Sequence, residues 1–486
     1  MMSERMHAAV AESSLAGWDH IADVVVVGLG CAGTSAALEA SEAGASVIAL
    51  ERTSGGGGTS ANSGGLIYMG GGTAVQKACG IEDSADEMFK FLMAACGPGP
   101  DEAKIRIFCD RSVELFDWLE AHGVVFKRST YPEPGKEAPT DDCLVYSGSE
   151  DGWPFREIAR PAPRAHKPQV EGAGGARLMQ ALLGSLGKTS VQVLEDARVD
   201  QLVIGDMGAV VGVIAQRVEG PVSVRAKGGV VLAAGGFISN TEMVQRYAPE
   251  TARANWRVGT ENDDGSGIQM AQAAGADAIR MDSASITIPL YPPKSICRGV
   301  LVNEKGQRFI NEDAYAGQIG QQALFRQNGR CWHLLDADTY VVNEVDMQAK
   351  VVEETWEDLE RALELPEGSL VSTMELYNRH ASSGRDPVFE KSPKLIVPLV
   401  KPPFGAIDIT LDGCIYAAFT LGGLHTRPSG EVLRPDGSAI DGLYAAGRTT
   451  SGVSAFGYVS GASLADGMLF GRMAAVSAAA RAGSAA

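Results

Sequence analysis

Three glycines, Gly28, Gly30 and Gly33, spell GxGxxG within ADVVVVGLGCAGTSAALEASEAG, and Glu51 follows 18 residues after the last of them. Each position has a physical task in holding a dinucleotide. Gly28 permits a tight turn, Gly30 lets the backbone approach a pyrophosphate, and Gly33 lets a helix pack closely on a sheet. The helix that opens there offers free N–H groups and a positive dipole end to phosphates. Glu51 can accept the two hydroxyls of an adenosine ribose. In a chain this rich in glycine the motif alone could be plain turns; strand, helix and acidic residue in register make it specific. It does not choose between NAD and FAD.

The segments that follow do bear on that choice. The cluster GGGGTSANSGG at residues 55–65 lies just past the ribose carboxylate, where a longer dinucleotide would continue beyond its pyrophosphate. Near the other end of the chain Ser460-Gly461-Ala462-Ser463-Leu464 leads into a helix, preceded by Gly447 and Arg448. Two ends of one sequence converging on a large ligand suit FAD; loop flexibility is the bland alternative. Tyr458 and Ser460 are one residue apart, so in an extended segment both side chains point to one side. A lone tyrosine is more often a core or rim residue, and a serine before an Ala-rich helix is commonly an N-cap.

These groups need a scaffold, and the apolar pattern supplies one. Residues 22–28 form a β-branched run that predicts a strand buried on both faces of a parallel sheet. CAGTSAALEASEAG predicts a helix and ASVIALE the next strand, the crossover unit of doubly wound sheets. Residues 191–216 predict strands of a meander, and 227–237 another buried strand ending in glycines. GLYAAGR at 442–448 pairs a short strand with a glycine, and 461–480 predict an Ala-rich helix. Between 281 and 405 the composition shifts to more proline, more charge and amphipathic helix, as in WEDLERALELP. The class expected is α/β. A Rossmann-like FAD-binding domain with a parallel sheet would be built from residues 1–280 and 406–486, with an inserted α+β catalytic, or capping, domain at 281–405.

Composition limits the partners. The 486 residues carry 42 basic and 60 acidic side chains, a formal charge of −18, which disfavours a nucleic-acid partner. Glycine is the outlier, with 59 residues against a background of roughly 7%. The eight cysteines show no CxxC spacing, which argues against zinc or iron–sulfur ligation and suits reduced thiols in the cytosol. The first 17 residues lack a continuous apolar stretch, and no run approaches the roughly 18 apolar residues of a spanning helix. The expectation is a soluble, cytoplasmic protein without a transmembrane segment.

With these residues in view, the chain resembles the fumarate reductase and ketosteroid dehydrogenase superfamily of flavoproteins, from about residue 22 to 475. The marks are GLGCAG with Glu51, GGTSANSGG, LAAGGF with Gly235 and Gly236, DDGSGIQMAQAAGA, GQRFINED, LYNRHASSGRDPVF, LGGLHT and GLYAAGR. The resemblance implies noncovalent FAD. Its expected neighbours are Gly28, Gly30, Cys31, Ala32 and Gly33 at the turn, then Glu51 and Arg52. Gly58, Thr59, Ser60, Ser63, Gly64 and Gly65 follow in the second cluster. Ala197, Ala234, Gly235, Gly447, Arg448, Ser463 and Leu464 complete the set. Arg448 departs from the acidic residue many relatives carry there; a contact with the flavin or its phosphates is one role it could have.

Members that reduce fumarate clamp a carboxylate with a His and an Arg in the C-terminal segment. Here Ser454 and Tyr458 stand in those places, and Asp313, Ala314, Tyr315 and Ala316 stand where a proton-donating arginine is expected. A dicarboxylate would meet no cationic fork. Tyr458-Val459-Ser460-Gly461 lacks the proline of the Δ1-ketosteroid branch, and with Tyr315 it is similar to the Δ4-(5α) branch. That branch introduces a C4=C5 double bond into 3-keto-5α-steroids, with Tyr458 on the C3 ketone, Ser460 as base for the C4 proton, Tyr315 as its relay, and flavin N5 taking the C5 hydride. His425 is expected to be structural or near the flavin, and Phe456, Phe309 and Ile310 to line an apolar substrate pocket. The partners implied are a 3-keto steroid and an unidentified electron acceptor. Alternatives are a Δ1-dehydrogenase or another flavin-dependent enone oxidoreductase, and a non-catalytic flavin- or steroid-binding protein.

Overall fold

The computed structural model describes residues 7–133, 138–290, 293–342 and 345–484. Strand β1 (His20–Val27) shows why its sequence is continuously apolar rather than alternating. Val24 and Val26 enter one buried cluster, while Val25 and Val27 enter another on the opposite face. A sheet covered on both faces leaves no side for polar residues. Helix α1 (Cys31–Glu42) returns the chain to β2 (Val47–Leu50), which lies parallel to β1 and divides its side chains the same way.

Helix α2 (Gly175–Leu186) is followed by β3 (Gln192–Leu194), β4 (Arg198–Ile204), β5 (Val210–Arg217) and the long β6 (Gly220–Leu232). The large sheet has nine strands in the order Val10–Ala11, β4, β5, β6, β1, β2, β3, with two more strands from the C-terminal part of the chain joined through β6. It is therefore mixed, where a parallel sheet was expected. Short turns join β4 to β5 and β5 to β6, and connections that short can only join antiparallel neighbours. The meander expected from residue 191 onward begins at β4; β3 instead lies parallel to β2 at the sheet edge.

A second, smaller assembly follows. Strand β7 (Ala284–Thr287) leads to β8 (Val300–Asn303), α3 (Ala316–Arg326), β9 (Cys331–Leu335), β10 (Ala349–Glu353), α4 (Trp356–Ala362), α5 (Ser369–Ala381) and β11 (Phe404–Asp408). The antiparallel sheet β8-β9-β11-β10 and helices α4 and α5 enclose their own core of Val300, Leu334, Leu359, Leu370, Met374 and Phe404. A buried ion network anchors the loop before α3. Arg308 pairs with Glu312 and Asp386, both at 2.8 Å, and Lys391 reaches Glu312 at 2.9 Å.

The chain then returns. Strand β12 (Ala417–Thr420) pairs with β7, and β13 (Ala439–Ala445) lies parallel to the end of β6. The long helix α6 (Ala462–Ser484) crosses α1 so tightly that a Cβ on Gly471 would lie 2.4 Å from the Ala32 carbonyl oxygen. Arg472 fastens the crossing to Glu39 at 2.6 Å. This contact carries the start of α6 to the GxGxxG turn, 430 residues away. Among the described residues no helix is long and apolar enough to cross a membrane, and all eight cysteines are free thiols.

Gly33 and Gly184 make a paired test of these packing arguments. A Cβ at Gly33 would fall 1.9 Å from the Gly28 carbonyl oxygen, whereas Gly184 is exposed inside α2 with nothing within 4 Å. Thermal unfolding should show Gly33→Ala losing about 3 kcal/mol or more, and Gly184→Ala gaining about 0.5–1 kcal/mol.

Candidate active site

A cavity of about 390 Å³ opens beyond the carboxyl ends of β1, β2 and β6. Gly28 turns the chain there at φ +93°, and a Cβ would sit 2.6 Å from the Ala233 carbonyl oxygen. The N-terminus of α1 has no side-chain cap, leaving its dipole end open to the cavity apart from the Cys31 N–H, which donates to Ser60 Oγ at 3.1 Å. Glu51 is held in one orientation. Its Oε2 accepts the Leu29 N–H at 2.8 Å, and its Oε1 accepts the Thr53 N–H and hydroxyl at 3.1 and 2.9 Å.

Nearly the whole expected cofactor set borders this one cavity: Gly28, Gly30, Cys31, Ala32, Glu51, Arg52, Gly58, Thr59, Ser60, Ser63, Gly64, Gly65, Ala197, Ala234, Gly235, Gly447, Arg448, Ser463 and Leu464. Gly33 does not; it is consumed by the contact of α1 with the preceding turn. An uncapped helix N-terminus and an oriented carboxylate on one wall fit the pyrophosphate and ribose of FAD.

Acidic partners on the facing wall were not singled out from the sequence. Asp263 accepts from Thr59 and pairs with Arg448, both at 2.7 Å, and Asp264 pairs with Arg52 at 2.8 Å. Their signal was present in DDGSG, where Gly265 turns the chain into the helix Ser266–Ala273. Arg198, the remaining cationic residue on the lining, pairs with Asp200 at 2.9 Å. Every cation bordering the cavity among the described residues thus has a carboxylate partner, and none stands ready for a dicarboxylate.

The other end of the cavity is neutral. Tyr315, Tyr458 and Ser460 all border it, although Tyr315 comes from the start of α3 and the others from the loop before α6. The hydroxyls of Thr287 and Ser460 lie within hydrogen-bonding reach of the Tyr315 phenol. Burial pushes Tyr315 well above the ordinary tyrosine range, despite those two hydroxyls, so it stays protonated at neutral pH. Burial raises Tyr458 as well, against opposing hydrogen bonds from the Ser463 side chain and the Ser463 and Gly461 N–H groups. The Phe419 ring meets Tyr458 edge to face at 5.0 Å.

Three apolar residues expected on the lining lie elsewhere. Phe309 and Ile310, partly buried, pack against the core beside the Arg308–Glu312 pair, and Phe456 is 37% exposed. Phe419, Met270 and Val258 supply apolar lining instead, positions with no chemical signature in the sequence. His425 does not border the cavity; it faces Asp277 at 3.1 Å.

Behind Tyr315 lies a further group without a sequence signal. Glu150 is buried, accepts the Tyr68 hydroxyl at 3.2 Å and the Gly148 N–H at 2.9 Å, and burial pushes its carboxyl up to about 7.

Comparison with known proteins agrees with this geometry. The FAD binding domain family matches residues 23–464, and the chain belongs to that family; its cofactor is FAD. A solved structure, a 3-ketosteroid-Δ4-(5α)-dehydrogenase from Rhodococcus jostii RHA1 in complex with 4-androstene-3,17-dione, is 45% identical. It superposes with a TM-score of 0.93, covering 97% of this chain and 99% of that one. The 3-oxo-5-alpha-steroid 4-dehydrogenase of Comamonas testosteroni is 28% identical over 88% of this chain and 93% of its own length. The 3-oxosteroid 1-dehydrogenase of Mycolicibacterium smegmatis is also 28% identical, over 95% of this chain and 97% of its own.

The Glu150 carboxyl makes folding depend on pH. Its folded value near 7 lies above the ordinary 4.5, so its contribution is fully present below 4.5 and is lost as pH rises through 7, a loss on the order of 3 kcal/mol. Glu150→Gln keeps the shape, with its carbonyl toward the Gly148 N–H and its amide toward the Tyr68 oxygen. Denaturation midpoints at about pH 5 and about pH 8 should lie closer together in the variant. Asp466, also raised by burial, to about 6, should leave a residual slope.

Proposed function

We propose that this FAD-binding protein is a 3-ketosteroid Δ4-(5α)-dehydrogenase, which removes hydrogen from C4 and C5 of a 3-keto-5α-steroid and leaves a C4=C5 double bond. The observation that carries the reading is the neutral hydroxyl cluster of Tyr315, Tyr458 and Ser460 at a cavity end with no unpaired cation. The 45%-identical Rhodococcus enzyme supports the same reading.

Desaturation beside a ketone needs a donor for the carbonyl oxygen, a base for the α-proton and a hydride acceptor. FAD, when bound, supplies the hydride acceptor for C5, so the two electrons leaving the steroid end on the cofactor. Tyr458 is the donor. Its phenol borders the cavity and burial keeps it protonated, so it can donate to the C3 ketone. That bond strengthens as enolate charge develops, an effect worth about 3 kcal/mol for one such donor. Ser460 Oγ takes the C4 proton while passing its own to the Tyr315 phenol oxygen, and Tyr315 releases its own phenol proton toward solvent in the same step. A serine is a poor base unless a partner takes its proton in concert, and Tyr315, protonated and within reach of the Ser460 hydroxyl, is such a partner because it hands one proton on as it receives another.

In the same reading, residues 1–280 and 406–486 form a Rossmann-like FAD-binding domain and 281–405 an inserted α+β capping domain. Its support is the separate core enclosed by the four-stranded sheet and helices α4 and α5. The capping part delivers Ser285, Thr287, Tyr315 and Ala316 to a cavity otherwise walled by the FAD-binding part.

Anaerobic mixing with a 3-keto-5α-steroid is expected to bleach the oxidised flavin and yield the C4=C5 product. No bleaching, a C1=C2 product, or reoxidation of the reduced enzyme by fumarate would each reject the assignment. Tyr458→Phe should lower the bleaching rate on the order of a hundredfold while FAD remains bound.

A further inference from the structure

We infer that the buried turn Ser147-Gly148-Ser149-Glu150 is a positioning element that holds Ser460 and Tyr315 in register for proton transfer. The inference rests on the roles proposed above for those two residues. They are 145 positions apart and lie on different elements, so nothing in the covalent chain sets the spacing of their hydroxyls. The cavity side must stay open to substrate. A tie between the two stretches therefore has to come from behind.

Four consecutive residues provide it. Ser147 Oγ donates to the Ser460 carbonyl oxygen at 2.9 Å. Ser149 Oγ accepts the Tyr315 N–H at 2.5 Å and donates to Gln318 Oε1, one turn into α3, at 3.1 Å. Between them Gly148 packs so closely that a Cβ would lie 3.1 Å from Val459 Cγ1. Glu150 closes the turn through the Gly148 N–H and binds the Tyr68 hydroxyl; the Tyr68 N–H in turn donates to the Gly461 carbonyl at 3.1 Å.

None of the four borders the cavity, and the side chains of Ser147, Ser149 and Glu150 are almost wholly buried. They touch neither substrate nor cofactor space and act through the residues they hold. The Tyr315 backbone depends on this support. It occupies the N-cap position of α3 in a non-helical conformation (φ −57°, ψ 134°) without a side-chain cap bond of its own, and Ser149 from a distant segment takes its N–H. Losing that bond frees the direction in which the phenol leaves the backbone. Displacements of about 1 Å between reacting groups cost on the order of a hundredfold in rate.

The test uses holoenzyme, a 3-keto-5α-steroid and its C4-deuterated form, with flavin bleaching followed in a single turnover. Ser149→Ala and Ser147→Ala should slow bleaching by ten- to a hundredfold. FAD content, the oxidised spectrum and steroid affinity should stay as in the parent, and the C4 deuterium isotope effect should rise. Parent-like rates and isotope effects in both variants would overturn the inference. So would slowing accompanied by FAD loss with an unchanged isotope effect in the remaining holoenzyme, because that marks scaffold damage. Ser460→Ala, measured alongside, separates the two ideas. If it turns over like the parent, Ser460 is not the base and the premise of the positioning role fails with it, while the dehydrogenase assignment is judged separately by the parent's own bleaching and product. If it is inactive while both turn variants are normal, only the positioning role fails.

Discussion

The close crossing of α6 over α1 is the constraint from which the site follows. Gly471 lies against the Ala32 carbonyl and Gly33 against the Gly28 carbonyl, so the C-terminal helix, the first helix and the nucleotide turn form one rigid block. No side chain larger than hydrogen fits those contacts. Dispersion gained at such short separations is lost quickly with distance, so the block tolerates little adjustment. Ser463 and Leu464 border the cofactor cavity because of it, and Tyr458 and Ser460 stand just upstream at its far end.

Electrostatics then divide that cavity. Each lining guanidinium is matched by an aspartate, Arg52 by Asp264, Arg198 by Asp200, and Arg448, which lies over the Phe419 ring beside Tyr458, by Asp263. The Arg448 charge is therefore partly spent on its neighbour. Toward the substrate end there are phenols and hydroxyls kept neutral by burial. A neutral, partly apolar end suits a steroid ketone, whose recognition needs one directed hydrogen bond rather than a charge clamp.

The two sheets make different demands on sequence and so differ in legibility. The large sheet announces itself in ADVVVV because burial on both faces removes all alternation, and the glycine spacing after it leaves little freedom of interpretation. Its mixed character was hidden, since strand polarity depends on which neighbour a short turn selects. In the smaller assembly Tyr315 was traceable through FINED, whereas Phe309 and Ile310 a few positions before it pack, partly buried, against the core. The reason is the ion network of Arg308, Glu312, Asp386 and Lys391, whose members are spread over more than 80 residues.

The amino-acid order alone specified the strand–GxGxxG–helix unit, the carboxylate of Glu51 after it, and the residue types of the hydroxyl cluster. Each of these is a local pattern in which a few neighbouring residues meet a fixed geometric demand. Only the tertiary structure decided which cations are neutralised, which aromatic ring faces Tyr458, and that Ser147, Ser149 and Glu150 stand behind the hydroxyl pair. Those relations join residues tens to hundreds of positions apart. They are set by how distant segments of the chain pack together, and a one-dimensional pattern contains no term for that packing.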